Sequence, residues 1–408
     1  MKNKLVMNTA MLYLMNIAKL LFPFLMLPYL TRVLSVEGYA MVSYVKSVMQ
    51  YMQLVVDFGF LLSSTAAIVE AKGDGKRIGT IVSNTILAKL LLSAVALVVL
   101  LGMTVSIDLL RQNVAYVLLS FVTVALSSFL VDYLFRGLEQ MQEITFRFVL
   151  MKGVATGLTF FFVRSDSDLL WIPVLDILGT LLSLALVWAR VKHYHIILSA
   201  PRLSRAWAQL RDSLRYFVSD IATTAFGALN TLLIGILLPP AQIALWSVAM
   251  QIIAAVQVMF TPITNGIYPE MVRSRSRGLL QKVSALCLPV LILGCGALYA
   301  LAELAVLIVS GAKYLEAVPV LQLLIPVLLL SFPAMLLGWP ALGAIGKVRQ
   351  TTASTVISAV FQVAGLVVLI AANRFTLVNL AVLRCATEAV LLTARLSCCV
   401  ANRKLFNP

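Results

Sequence analysis

Residues 80–104 read TIVSNTILAKLLLSAVALVVLLGMT, an otherwise uncharged run broken by one cation, Lys89. A hydrocarbon core about 30 Å thick is crossed by about 20 apolar residues in an α-helix. The stretch is long enough to span and shows no polar face of the kind a surface helix carries. Comparable runs recur along the whole chain, at 6–30, 40–68, 114–135, 144–163, 169–189, 213–237, 241–265, 283–309, 318–338, 350–372 and 376–400. With 80–104 they make twelve predicted spans, all helical, because an open segment in lipid must satisfy its own backbone hydrogen bonds.

Composition agrees. Of 408 residues, 61% are hydrophobic and 12% charged, against about 45–50% and about 25% in soluble domains. Mean hydropathy is +0.98. The expected fold class is therefore an all-α polytopic membrane protein with short connections and no sizeable soluble domain. The amino-terminal run follows Met1-Lys2-Asn3-Lys4 and continues through Lys19 to Tyr29 without a small-residue cleavage site. It reads as a first, uncleaved span rather than a signal peptide. Cys287, Cys295, Cys385, Cys398 and Cys399 lie in apolar stretches with neither zinc-site nor disulfide spacing. No metal and no cofactor is expected.

The net charge of +15 does not point to nucleic acid, because Lys and Arg gather in the cytoplasmic loops of membrane proteins. With a cytoplasmic amino terminus, 22 of them fall inside, among them Lys72, Lys76, Arg77, Arg136, Arg147, Arg202 and Arg205. Five fall outside: Arg32, Arg111, Arg164, Lys313 and Arg374. That bias predicts cytoplasmic termini and an even number of spans. The longest connection, about 190–212, is basic, holds His193 and His195, and divides the chain into lobes of six helices, 1–205 and 206–408. Residues 36–75 and 241–278 share a plan, a span followed by a basic turn ending in glycine. The parallel repeat suggests two related bundles, a recurring transporter architecture.

Four stretches carry a family likeness. Pro28-Tyr29-Leu30-Thr31-Arg32-Val33-Leu34 precedes Glu37-Gly38-Tyr39 and Val56-Asp57-Phe58-Gly59-Phe60. Tyr133-Leu134-Phe135-Arg136-Gly137-Leu138-Glu139-Gln140-Met141 follows. Thr261-Pro262-Ile263 leads to Tyr268-Pro269-Glu270. Gly311-Ala312-Lys313-Tyr314 leads to Ala317-Val318-Pro319. Together they resemble the polysaccharide-biosynthesis flippases of the Wzx-type O-antigen transporter family, in a superfamily shared with multidrug and toxin exporters. The resemblance implies two six-helix lobes in a MATE-like V that alternates between inward and outward openings. It implies a cargo of undecaprenyl-diphosphate-linked oligosaccharide, an O-antigen repeat unit moved toward the periplasmic leaflet of a bacterial inner membrane. Polysaccharide polymerase and chain-length machinery are the implied protein partners, beside the membrane lipids.

Charges inside the spans are the candidate sites, since each is expensive in lipid, roughly 2.5–3.5 kcal/mol on insertion scales. Lys19, Lys89 and Lys152 read as uncompensated cations near mid-membrane, where they could counter a diphosphate. Lys46 and Arg384 are further substrate-binding candidates. Asp57, Asp220 and Glu388 are candidates for a coupling or structural charge. The alternatives stay open for each: a structural ion pair, or a side chain snorkelling to the headgroups. Arg384 and Glu388, four apart on one helix, suit a local pair. The first rival is a drug or cation exporter of the same superfamily, which calls for carboxylates rather than lysines at depth. The second is a membrane polymerase or ligase. It has less support, because every outside loop is short and no phosphate-binding glycine loop, His-Glu-x-x-His or paired-carboxylate motif occurs. No catalytic residue is expected.

Overall fold

The computed structural model describes residues 2–194, 196–225 and 228–407; among them every regular element is helical. The α-helices in chain order are α1 (Lys2–Val33), α2 (Val36–Asp57), α3 (Phe60–Glu70), α4 (Gly75–Ser106), α5 (Asp108–Arg111), α6 (Val114–Leu126), α7 (Asp132–Gly137), α8 (Met141–Phe162) and α9 (Trp171–His193). Then come α10 (Leu203–Ala225), α11 (Ala228–Leu237), α12 (Pro240–Val258), α13 (Phe260–Ser274), α14 (Arg277–Ala300), α15 (Ala302–Ser310), α16 (Val318–Leu336), α17 (Val348–Ala371) and α18 (Leu377–Ala401). Eleven passages among the described residues are long and apolar enough to cross a membrane, and they coincide with eleven of the twelve expected spans. The remaining one, 213–237, falls on the end of α10 and on α11, with Phe226 and Gly227 outside the described residues. Large apolar side chains such as Val98, Phe161, Leu286 and Leu293 stand exposed on the helices, as lipid-facing positions do. The chain is a multi-pass membrane protein.

Polar residues before the apolar runs decide where helices begin. The Ser35 hydroxyl accepts from the Gly38 N–H at 2.9 Å at the start of α2. The Asp74 carboxylate accepts from the N–H groups of Lys76 and Arg77 at 3.0 Å each at the start of α4. Ser276 and Thr376 do the same for α14 and α18. Such caps satisfy amides that have no partner within the helix.

Several passages are broken. The second stops at Asp57, turns through Phe58 (φ 39°) and Gly59 (φ 75°), both left-handed, and resumes as α3. Thus the family-like Val56-Asp57-Phe58-Gly59-Phe60 stretch is a helix break, and Asp57 sits at the carboxyl end of a half-helix. The fourth passage breaks between α6 and α7 at Ser127–Val131. The passage Pro240–Ser274 has the same length as Val36–Glu70, 35 residues, and also divides, at Met259. The repeated plan therefore extends to the position of a break.

The chain divides into two compact units, Met1–Ile221 and Ala222–Pro408. In the first, α8 packs between α1 and α9, and α2 lies against α4 and α6. Gly179 lets α9 approach α8 closely, since a Cβ there would stand 2.5 Å from the Met151 carbonyl oxygen. At the end of this unit that carries the Gly73–Gly75 turn, Ile68, Ile78, Val82, Tyr133, Leu134, Phe135, Val187 and Val191 form an apolar core. The Tyr133–Gly137 stretch supplies its centre, and a Cβ on Gly137 would stand 2.6 Å from Ile68 Cγ2. That family-like stretch is packing, not chemistry.

The segment after α9 folds back onto the same unit. Ser199 meets Thr80 at 3.0 Å, and the Arg202 N–H donates to Asn84 Oδ1 at 2.7 Å. Thr85 donates to Gln209 Oε1 at 3.2 Å, and Ser63 and Ser213 share a hydrogen bond of 2.5 Å. Phe58 stacks on Phe217 with centroids 4.2 Å apart. The first half of α10 therefore belongs to the amino-terminal unit by its hydrogen bonds. Its opposite face leaves Leu203, Trp207 and Leu214 exposed.

In the second unit α18 packs on α16 and α17. After α16 the helix loosens to a π-turn at Leu337–Gly343, where Gly338 (ψ −112°) leaves helical geometry. Arg395 repairs the freed backbone: Nη1 donates to the Ala334 carbonyl at 2.6 Å and Nη2 to Thr355 Oγ1 at 3.1 Å.

Candidate functional site: charges inside the spans

The break after Asp57 faces α4 with a carboxylate, and Lys89 answers it. Lys89 Nζ lies 2.9 Å from Asp57 Oδ1; the lysine side chain is 6% exposed and the aspartate 46%. Gln53, one turn earlier on α2, donates to Asp57 Oδ2 at 2.8 Å and to Ser127 Oγ at 3.0 Å. The carboxylate is held on both oxygens, with one side open and the buried ammonium behind it. The carboxyl end of a half-helix also favours a cation by its dipole. The expectation that Lys89 is uncompensated is therefore corrected. The cause is the packing of α2 on α4, which a count along the sequence does not register.

Lys152 is likewise corrected. Its Nζ lies 2.9 Å from Asp176 Oδ1 across the α8–α9 contact, with both side chains about one third exposed. Asp176 was missed in the sequence, where it sits in an apolar run; its place facing α8 depends on the Gly179 contact. Lys46 on α2 is exposed and near enough to Lys152 and Asp176 to feel both charges.

Arg147, counted with the cytoplasmic loops, is instead buried in α8, with Nη2 2.5 Å from Asp132 Oδ2. Asp132 begins α7 at the second break. It too escaped the sequence reading, because the break that turns it inward is not visible in an apolar run. Lys19 is exposed, with Nζ 5.7 Å from the centroid of the Phe148 ring, a cation–π distance. It lies within electrostatic reach of Asp132, Arg147 and Arg136.

In the second unit Arg384 Nη2 and Glu388 Oε1 are 2.6 Å apart and both side chains are buried, so the pair suggested by their spacing forms. Beside it, the Gln362 amide donates to Asn230 Oδ1 at 3.0 Å and accepts from the Thr387 hydroxyl. This buried seam ties α11, α17 and α18 as polar groups between membrane helices do. Gln362 was not singled out in the sequence. The side chain of Asp220 lies outside the described residues, as does His195.

Among the described side chains of the first unit, five cations (Lys19, Lys46, Lys89, Arg147 and Lys152) and three carboxylates (Asp57, Asp132 and Asp176) lie within the spans. Three pairs form. Lys19 and Lys46 have no ion-pair partner among the described residues. No cluster of His, Cys, Asp and Glu able to hold a metal occurs among the described residues.

Comparison with known proteins places this arrangement. A protein of Shigella dysenteriae named provisionally as an O-antigen transporter is 28% identical over 65% of this chain and 66% of its own. The chain thus spans just under two thirds of that relative. A protein of Escherichia coli K12 with the same provisional name is 29% identical over 79% of this chain and 80% of its own. Among solved structures, the lipid II flippase MurJ in an inward closed conformation superposes with a TM-score of 0.71 at 10% identity, covering 96% of this chain and 87% of that one. An inward-facing MATE transporter of the MOP superfamily gives 0.63 at 15% identity, covering 95% and 99%. This chain thereby shares the all-helical fold of those transporters. The model of polysaccharide biosynthesis proteins matches residues 5–275, two thirds of the sequence; the chain belongs to that family.

Proposed function

We propose that this protein is a flippase for an undecaprenyl-diphosphate-linked oligosaccharide, moving it from the cytoplasmic to the periplasmic leaflet of a bacterial inner membrane. Family membership supplies the pathway. The observation that carries the cargo's charge is the surplus of two cations, Lys19 and Lys46, among the described side chains of the first unit. A diphosphate diester carries two negative charges, and ammonium groups at depth replace the water it loses. Lys89 and Lys152 contribute through their pairs: an arriving phosphate competes with Asp57 or Asp176 for a cation already in place. Arg384, sealed against Glu388, takes a structural role in this reading. A cation exporter would need a carboxylate without a basic partner, whereas among the described side chains of the first unit's spans Asp57, Asp132 and Asp176 each have one. Transport, not catalysis, is the reading that the relatives' names support.

Lys46 gives the direct test. Losing a hydrogen bond to a charged group costs about 1.5–3 kcal/mol, so Lys46→Ala should lower surface polysaccharide about ten- to a hundredfold at matched protein level. Lys46→Arg should keep more activity than Ala. Wild-type polysaccharide from Lys46→Ala would remove this lysine from the cargo path.

Orientation is tested separately. The excess of Lys and Arg in one set of loops, which outlasts the move of Arg147 into a span, supports a cytoplasmic position for the termini and residues 190–212. A reporter fused near Ser204 should give a cytoplasmic signal, and a periplasmic one would reverse the assignment.

A further inference from the structure

A second polar site lies outside the spans, on the end of the first unit that carries the Gly73–Gly75 turn. A cavity of about 510 Å³ opens between the start of α4 and α10, within the range of small-molecule pockets, about 300–1,000 Å³. Lys76, Arg77 and Arg205 bring three cations to it, and Thr80, Asn84 and Gln209 bring hydrogen-bonding groups. Asp74 also lines it, with its carboxylate engaged by the Lys76 and Arg77 N–H groups. The lining therefore carries a net charge of +2.

Two neighbouring cations on this end of the unit are matched. Lys72 pairs with Glu139 at 3.2 Å and Arg190 with Glu143 at 3.2 Å. Around the cavity the pattern stops: Lys76, Arg77 and Arg205 have no carboxylate partner among the described residues. The two walls are also held in register. The Arg202 N–H on Asn84 and the Thr85 hydroxyl on Gln209 fix α10 against α4. Gly79 lets the incoming strand of chain lie directly on α4, where a Cβ would meet the Ile197 carbonyl at 1.8 Å. Three unmatched cations on a preorganised frame, lined by neutral donors and acceptors, suit an anion of two charges bonded to a hydroxyl-rich group.

We propose that this cavity binds a diphosphate ester bearing a sugar, and that it is the receiving site where the cargo's headgroup docks before it enters the bundle. The second clause rests on the flippase reading above; the first does not. The arginines take phosphate oxygens by paired N–H groups, and the Thr80 hydroxyl, bonded to the Lys76 carbonyl and to Ser199, keeps a lone pair for a sugar hydroxyl, while Gln209 holds the wall. The ligand could come from the lipid-linked cargo or from a soluble sugar nucleotide, since both present the same diphosphate.

Arginine footprinting tests it on the full chain in lipid nanodiscs. Phenylglyoxal modification of Arg77 and Arg205 is read by mass spectrometry, with inorganic diphosphate, a uridine diphosphate sugar, or a farnesyl-diphosphate-linked sugar added. At least tenfold protection by a diphosphate over sulfate at equal ionic strength is expected. Greater protection by the farnesyl form assigns the site to lipid-linked cargo; greater protection by the uridine form assigns it to soluble donors and removes the receiving role. Equal reactivity with and without diphosphate, or protection matched by sulfate, overturns the site. Lys76→Gln with Arg205→Gln should lose the Arg77 protection while melting as the parent does. Should the double variant melt lower, Lys76→Arg, which keeps the charge, must retain protection or the proposal fails. Lys46→Ala leaves the cavity untouched, so protection that persists in a variant with normal polysaccharide would sink the Lys46 role without touching this one.

Discussion

Asp57→Ala should leave little folded protein in the membrane. Lys89 is 5% exposed, and without Asp57 its ammonium has the Coulomb partner at 2.9 Å taken away. Breaking one side of a buried pair costs about 3–5 kcal/mol, a large part of a total stability of about 5–15 kcal/mol. A melting point lower by about 10 °C, read on purified protein in detergent, is the expected size. Removing both charges separates stability from transport. Asp57→Asn with Lys89→Met leaves no orphan charge and should recover abundance, since neutral replacement of a buried pair is often tolerated. Surface polysaccharide should still be low, because the open side of the Asp57 carboxylate and the ammonium behind it are both gone. Wild-type polysaccharide from that double variant would make the pair structural alone. Continued instability would show that Gln53 and Ser127 depend on the carboxylate itself.

Gly59→Ala is the second large effect. The residue holds φ 75°, where an L side chain costs about 1–2 kcal/mol. Its Cβ would also stand 2.6 Å from Tyr216 Cβ and 2.9 Å from the Phe217 backbone nitrogen. The second contact is main chain and cannot rotate away. Overpacking of this kind adds about 1–3 kcal/mol. The relief open to the protein is for α10 to lift from α3, which breaks the Ser63–Ser213 hydrogen bond and the Phe58–Phe217 stack. Trypsin should then cut faster at Arg202, Arg205 and Arg211, by about tenfold or more for a loss of 1.4 kcal/mol or greater. Gly102→Ala is the matched control: that glycine is helical, with nothing within 4 Å of its Cβ position. Equal cleavage of the two variants would mean that Gly59 does not hold α10 in place.

The broken second passage connects fold to function. Asp57 is the last residue of α2, so its carboxylate stands where the packing of α2 on α4 puts it beside Lys89. The turn at Phe58 and Gly59 ends the helix at the carboxylate and lets α3 pack on α7. Discontinuous helices in membrane proteins expose backbone and charge only where protein or a polar cavity receives them. Here Gln53, Lys89 and Ser127 do so.

Sequence alone determined the membrane class, eleven spans with ends off by as many as nine residues, the family and the repeated plan of 36–75 and 241–278. These follow from hydrocarbon thickness and hydropathy, which act on each segment independently of the others. The Arg384–Glu388 pair was also legible, because four residues on one helix is a local distance. Tertiary structure decided the rest. Lys89 and Lys152 read as lone cations because Asp57 and Asp176 lie 32 and 24 positions away, and no helical period links such separations. Arg147 read as a loop charge because Asp132, its partner, turns inward at a break that hydropathy does not register. Lys76, Arg77 and Arg205 read as an orientation signal; only the folding of α10 onto α4 makes them one site. A charge in lipid declares in the sequence that something must answer it, but which group answers is fixed by helix breaks and glycine contacts that act between segments.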